Sequence, residues 1–149
     1  MAAAPGDSAY GPLSVFCGLE AGCELLFNVK KELFDPAPKV DSCLVRLAPG
    51  NHGSGREIHS RRALGLVVRG AFEHRRKTAY NSLKLSLAKG MLKELAGGAE
   101  PAELAAGALE AGGVEMRARP QEIPPDSFVS IADYLLGAGR GADPPGQVE

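Results

Sequence analysis

The sequence lacks the segments that carry a protein out of the cytosol or into a bilayer. Residues 1–30 contain no basic stretch followed by an apolar run of the kind that begins a secretory signal. No apolar run approaches the roughly 18 residues that a membrane-spanning helix needs. The residues therefore predict neither export nor membrane insertion, and we expect a cytoplasmic protein.

Cysteine is scarce, tryptophan is absent, and the arrangement of possible metal ligands argues against a zinc site. The three cysteines and three histidines show none of the paired spacings that zinc sites use. They are Cys17, Cys23, Cys43, His52, His59 and His74. Because the cysteines lie in apolar stretches without a C-x-x-C pair, we expect reduced, buried thiols and no metal.

The chain also lacks an excess of charge of either sign. Its 17 lysines and arginines nearly balance 18 aspartates and glutamates, which leaves a net charge of −1. A length of 149 residues allows one ordinary domain or two small ones, and 44% hydrophobic residues are typical of a soluble globular protein. A surface for a charged partner must therefore come from local clustering.

The first third of the chain predicts a short helix and two strands. Apolar positions from Leu13 to Ala21, followed by Gly22, indicate a helix. The runs at 23–29 and 40–47 are rich in valine, leucine and phenylalanine and read as adjacent antiparallel strands. Two strands are marginal alone, so we expect them to need a larger sheet or a covering helix.

A stiff loop, FDPAPK, separates these strands. Pro36 and Pro38 fix their own backbone and push the residues before them toward extended conformations. Such a segment would hold the ring of Phe34 in a set place. The ring could line a functional pocket, or it could simply fill the edge of a hydrophobic core.

The second half of the chain predicts a small helical domain. A Gly- and Pro-rich stretch at 49–60 reads as a linker, and Leu64 to Phe72 follow the spacing of an amphipathic helix. Further helices are predicted at 78–95, 101–109 and 126–136. The expected organisation is thus residues 1–48, a linker at 49–60, a helical domain at 61–136 and a disordered tail at 137–149.

Basic residues cluster in the helical half. Arg62, Arg69 and Arg76 recur every seven residues, so on one helix they would form a single stripe. Arg75, Lys77 and Lys84 add to it. Guanidinium groups suit phosphates, which makes nucleic acid the leading partner, although a solvated helix face with incidental arginines is about equally plausible.

Four segments in one order resemble the ribosomal RNA adenine N6,N6-dimethyltransferases, which dimethylate adjacent adenosines of small-subunit rRNA. AYGPLSVF at 9–16 is similar to the family's YGxLSV, and FDPAPKVDSCLVRL at 34–47 to FxPxPKVDSxVVRL. AFEHRRKTAYNSLK at 71–84 is similar to FxxRRKTLRNSL, and residues 113–128 to the closing GIDPxxRAExLSxxxF pattern. Tyr80 and Pro124 depart from it, standing where the family usually has arginine and serine or threonine.

The resemblance implies an α/β part followed by an all-α part: the last strands of a Rossmann-like methyltransferase domain, which binds S-adenosylmethionine, and then a small helical RNA-binding domain. It implies that Phe34, Pro36 and Pro38 form a wall for the target adenine, which an enzyme acting on a base must extrude. It further implies that small-subunit rRNA is the partner and that cationic side chains contact it. These are Lys39, Arg62, Arg69, Arg75, Arg76, Lys77, Lys84 and Arg119.

The same resemblance implies that the cofactor loop and the methyl-transfer residues belong to a preceding part of a longer enzyme. We therefore expect no catalytic residue in this chain and no binding of S-adenosylmethionine by the chain alone. The GAGRG segment at 137–141 follows a predicted helix rather than a strand, so it does not fit a cofactor loop. Two alternatives stay open: a stand-alone, non-catalytic RNA-binding module, and a degenerate fragment without a stable fold.

Overall fold

The chain folds into a helix, a β-hairpin and then a group of packed helices. The computed structural model describes residues 2–50 and 56–139. The hairpin strands are β1 (Ala21–Val29) and β2 (Ser42–Pro49), and short 3-10 turns occur at Lys31–Leu33, Lys93–Leu95 and Pro120–Glu122. The helices are α1 (Pro12–Glu20), α2 (Arg61–Phe72), α3 (Ala79–Lys89), α4 (Pro101–Ala111) and α5 (Pro125–Gly139).

The helix starts follow from local sequence. The Ser60 hydroxyl accepts from the Ala63 amide at 3.2 Å, and the Thr78 hydroxyl accepts from the Asn81 amide at 3.3 Å. Each cap is worth about 1 kcal/mol because it satisfies an amide that has no partner within the helix. The Thr78 cap also explains why α2 does not run into α3, since a capping residue must leave the helical conformation.

One hydrophobic core joins α1 to the four later helices. The predicted face of α2 is buried in it, together with Leu83 of α3 and Phe128 of α5. The ring of Phe72 lies between Tyr10 and Phe128, at centroid distances of 6.2 and 5.9 Å. Residues 1–48 were expected to form a separate unit, yet the core also contains Tyr10, Val15 and Leu19. The division into two domains stays a prediction, and α1 packs against the helices of the second half of the chain.

Tyr10 ties the amino-terminal segment to this core. Its hydroxyl donates to the Ile123 carbonyl at 2.8 Å, and its side chain is almost completely buried. Burial raises the pKa of Tyr10 from its usual 10.0 to about 12 because it penalises the phenolate. Because the unfolded chain loses the phenol proton at lower pH than the folded chain, the contribution of the buried, protonated Tyr10 to stability is complete below about pH 10. This contribution is lost as the pH rises through about 12.

The hairpin leaves much of its apolar surface uncovered. The strands pair antiparallel, with Cys23 opposite Leu47 and an irregularity between Leu25 and Phe27. Large apolar side chains are about half exposed; they are Leu25, Phe27, Leu44 and Leu47. The need for additional cover, expected from two isolated strands, is therefore visible in the described part of the chain.

The prediction of buried thiols was wrong in part. All three cysteines are free, but Cys43 is exposed and Cys17 and Cys23 are only partly buried. Cys23 and Cys43 lie on the hairpin, where neighbouring apolar side chains are also left about half exposed. An apolar sequence neighbourhood therefore did not translate into burial.

Several predicted boundaries require correction. The helix expected at 78–95 ends at Lys89 and is followed by a separate turn, and the helix expected at 101–109 continues to Ala111. Helix α5 continues to Gly139, so the predicted tail at 137–149 begins within a helix, and positions 140–149 lie outside the described residues. The central part of the predicted linker, at 51–55, lies outside them as well.

Candidate nucleic-acid interface

The turn between α2 and α3 presents the densest group of exposed cations. Residues 73–77 form turns and are exposed, and the Lys77 amide donates to the His74 carbonyl at 2.8 Å. The Ala79 amide donates to the Ala118 carbonyl at 2.8 Å, which brings the loop containing Arg119 beside the start of α3. The fold therefore gathers Arg76, Lys77 and Arg119 from separate segments into one region, called here the basic turn.

The single arginine stripe expected from the seven-residue spacing was wrong. Helix α2 ends at Phe72, so Arg76 follows the helix instead of lying on it. Arg62 forms an ion pair with Glu94, with its Nη2 2.9 and 3.1 Å from the two carboxylate oxygens. Arg69 is exposed on α2. The three arginines therefore occupy three different environments.

Arg75 and Arg76 are adjacent but differ in what they contact. One terminal nitrogen of Arg75 donates to the backbone carbonyls of Ser8 and Tyr10, each at 3.2 Å. Among the residues that the structure describes, the Arg76 and Lys77 side chains make neither an ion pair nor a hydrogen bond. These two cations are therefore open to an external anion.

Lys84 lies one turn after Tyr80 on α3, and its ammonium packs on the Tyr80 ring. Its ammonium lies 5.1 Å from the centroid of the Tyr80 ring, which is a cation–π distance. Tyr80 replaces an expected arginine, so it removes one charge from this region, but it also restrains Lys84. Helix α3 therefore extends the basic turn by one positioned cation.

The Phe34 loop lies on the hairpin, apart from the basic turn. The Phe34 ring is 43% exposed and is not part of the hydrophobic core, so it does not fill a core edge among the described residues. Pro36 and Lys39 are exposed and Pro38 is partly buried. The two ends of the loop are linked where the Lys31 amide donates to the Asp41 carboxylate at 3.0 Å.

Three cations were not predicted from the sequence: Lys30, Lys31 and Arg117. Lys30 and Lys31 join the predicted Lys39 in lining a depression of about 580 Å³ at the hairpin end, together with Glu32, Val40 and Asp41. Arg117 lines a cavity of about 270 Å³ in the loop before α5, together with Ala118 and Glu122. The Lys30–Lys31 pair preceding the loop was the available signal for the first group.

The described residues contain neither a metal-binding cluster nor a membrane-spanning helix. Within residues 2–50 and 56–139, no group of three histidine, cysteine or acidic side chains is placed to hold a metal ion. None of the described helices combines the length and the apolar character that crossing a bilayer would require. The exposed cations and the Phe34 loop therefore remain the candidate features.

Comparison with protein families gives one match across nearly the whole chain. Residues 1–134 match the family described as "Ribosomal RNA adenine dimethylase". A "Ribosomal RNA small subunit methyltransferase A" from Neisseria meningitidis is 37% identical over 137 residues, which cover 92% of this chain and 46% of the relative. One of the same name from Pseudomonas fluorescens is 36% identical, covering 95% of this chain and 46% of the relative. The chain thus spans about half the length of the curated relatives it matches.

Solved structures support the fold. A dimethyladenosine transferase from Plasmodium falciparum is similar with a TM-score of 0.64 at 22% identity, over 87% of this chain and 50% of that one. The 23S rRNA methyltransferase ErmE is similar with a TM-score of 0.51 at 23% identity, over 88% of this chain and 48% of that one. The chain therefore has the fold of part of a methyltransferase.

Proposed function

The chain belongs to the ribosomal RNA adenine dimethylase family, and from this premise we propose that it is the rRNA-docking part of an S-adenosylmethionine-dependent enzyme. That enzyme would dimethylate N6 of adjacent adenosines in small-subunit rRNA during ribosome assembly in the cytoplasm. The observation that carries the proposal is the basic turn, where Arg76 and Lys77 face solvent without an internal partner among the described residues.

The proposed RNA ligands are the cations that the fold leaves available. They are Arg69, Arg76, Lys77, Lys84 and Arg119, with Lys39 at the hairpin. Arg62 and Arg75 leave the set expected from the sequence, because Arg62 is paired with Glu94 and Arg75 donates to backbone carbonyls. Point charges and guanidinium forks of this kind contact phosphates and read the shape of an A-form helix more than its sequence.

The proposed adenine wall is the stiff loop of the hairpin. Phe34, Pro36 and Pro38 present an aromatic ring and two rigid apolar rings, and Phe34 and Pro36 are exposed. An enzyme that modifies a base holds the extruded base between aromatic or apolar surfaces. In this proposal the chain supplies one such surface and no residue that transfers the methyl group.

The described residues do not fit the cofactor. S-adenosylmethionine sites of Rossmann-like domains use a glycine-rich turn between a strand and the helix that follows it. Among the described residues, β1 leads into the 3-10 turn at Lys31–Leu33 and not into a glycine-rich turn, and Gly137 lies within α5. The connection from β2 to α2 includes residues 51–55, which lie outside the described residues. We therefore assign the cofactor to another part of the enzyme and none of this chain's residues to holding it.

A footprint of RNA on the protein tests the proposal. Amide hydrogen exchange of the 149-residue chain would be compared with and without an rRNA helix that carries its adjacent loop. We expect slower exchange at residues 74–80 and 117–119, because these backbone segments carry the basic turn. Exchange in α4 (Pro101–Ala111) should stay unchanged and serves as the internal control. Protection confined to α4, or none with RNA in excess, would contradict the proposal.

A stand-alone, non-catalytic RNA-binding module is the second candidate. It is favoured by the continuous core, which α1 and the four later helices build from the described residues alone. The same observation argues against a degenerate fragment. The two candidate functions share the basic turn and differ in whether the Phe34 loop receives an adenine.

A further inference from the structure

The segment that precedes α1 is fastened to the helices from several sides. The Gly6 amide donates to the Gln121 carbonyl at 2.8 Å, and the Tyr10 hydroxyl donates to the Ile123 carbonyl at 2.8 Å. Arg75, from the turn after α2, adds two hydrogen bonds to the same segment. The segment therefore contacts both the loop before α5 and the turn after α2.

The guanidinium group of Arg75 bridges two backbone carbonyls of this segment. One terminal nitrogen lies 3.2 Å from the carbonyl oxygens of both Ser8 and Tyr10, residues two positions apart in the chain. Hydrogen bonds from a charged donor are stronger than those between neutral groups, and the carbonyls would otherwise need water. Arg76, its exposed neighbour of the same type, makes no such contact among the described residues.

This contact lies just before α1, the helix that leads into the hairpin. Tyr10 is followed by Gly11 and then by α1, and α1 passes into β1 without an intervening residue. Of the described helices, α1 contacts β1, the strand that directly follows it, and the hairpin makes no comparable contact with α2 to α5. Val15 and Leu19 hold the body of α1 in the core, and Arg75 holds the residues just before its start.

We propose that Arg75 is a positioning residue that fixes the hairpin, with its Phe34 loop, relative to the basic turn. The adjacent arginines then have different tasks: Arg75 joins two parts of the protein, and Arg76 contacts phosphate. Through this contact, the position of RNA bound at the basic turn would fix the position of the adenine wall formed by the Phe34 loop. The functional meaning rests on the proposed docking function, but the joint itself is measurable without RNA.

The distance between the hairpin and the helices provides the test. Cys17→Ala and Cys23→Ala leave the exposed Cys43 on β2 as one spin-label site, and Lys89→Cys at the exposed end of α3 supplies the other. In this background we expect Arg75→Ala to broaden the distance distribution at least twofold. Arg76→Ala is the matched control and should leave it unchanged. Arg75→Lys should give an intermediate width, because an ammonium can still donate to a carbonyl.

Two outcomes would overturn the proposal: equal widths in Arg75→Ala and the parent protein, or equal broadening in Arg76→Ala. Thermal unfolding of each variant would be recorded in parallel, and broadening below the unfolding transition reports position instead of global stability. The comparison with Arg75→Lys keeps the test decisive if the alanine variant fails to fold.

RNA binding supplies an independent readout. Replacing a phosphate ligand by alanine reduces the slope of log affinity against log salt by about 0.7 to 0.9. We expect that reduction for Arg76→Ala and an unchanged slope for Arg75→Ala. An equal reduction in both would make Arg75 a phosphate ligand and overturn its assignment. If the parent protein binds no RNA, the docking function fails, while the distance measurement still decides the role of Arg75.

Discussion

Phe128→Ala is expected to lower the free energy of unfolding by about 3–5 kcal/mol, the cost of removing a buried aromatic ring and leaving a cavity. The Phe128 side chain is completely buried, and its ring packs against Phe72 at 5.9 Å, which in turn packs against Tyr10. The change would therefore weaken the contact between α5, α2 and the segment before α1. Urea unfolding followed by far-ultraviolet circular dichroism measures it.

Phe34→Ala is the matched control, because it removes the same ring from a side chain that is 43% exposed. It should cost less than about 1 kcal/mol, since substitutions away from the core have small effects. A cost for Phe34→Ala equal to that of Phe128→Ala would restore the interpretation that Phe34 fills the edge of a core. Non-cooperative unfolding of the parent chain would favour a degenerate fragment.

Replacing Arg76, Lys77 and Lys84 together by alanine is expected to flatten the salt dependence of RNA binding by about two to three units, because each lost phosphate contact removes about 0.7 to 0.9. At 0.1 M salt this corresponds to a loss of affinity on the order of a hundredfold. All three side chains lie outside the buried core, so folding should be little affected. Fluorescence anisotropy with a labelled RNA at several salt concentrations measures the slope.

The chain offers a control that removes the same charge. Arg46, Arg61 and Arg62 are exposed and are paired with Glu24, Glu20 and Glu94, respectively. Their joint replacement by alanine should change the slope by less than about one unit, because these guanidinium groups already have anionic partners. Equal flattening by the two triple variants would mean that only net charge matters and that the basic turn is not a defined site.

The sequence predicted the buried face of a helix where apolar residues recur at helical spacing. Leu64, Val67 and Val68 follow helical spacing, and all are buried in α2 as expected. The boundary between α2 and α3 was also predicted, since the apolar pattern ends at Phe72 and the next helix was expected from position 78, where Thr78 caps α3. The end of α3 was not predicted: the helix stops at Lys89, six residues before the expected end at 95.

The sequence predicted which cations cluster in the candidate site, but not which of them have partners within the protein. The sequence identified Arg62, Arg75 and Arg76 as equivalent cations. Their difference comes from partners distant in sequence, since Glu94 lies 32 positions from Arg62 and Tyr10 lies 65 positions from Arg75. No local pattern reports such contacts, because they are set by how the helices pack.

A competition between two RNAs of equal charge tests most directly the claim that this chain docks on structured rRNA. One RNA is a helix end with its adjacent loop, and the other is an unstructured strand of the same length. A docking surface should prefer the first at every salt concentration, because A-form geometry and exposed loop bases are what proteins recognise in RNA. The same preference should be lost when Arg76, Lys77 and Lys84 are replaced. Equal binding of both RNAs by the parent chain at every salt concentration would contradict the claim and reduce the basic turn to a nonspecific polyanion patch.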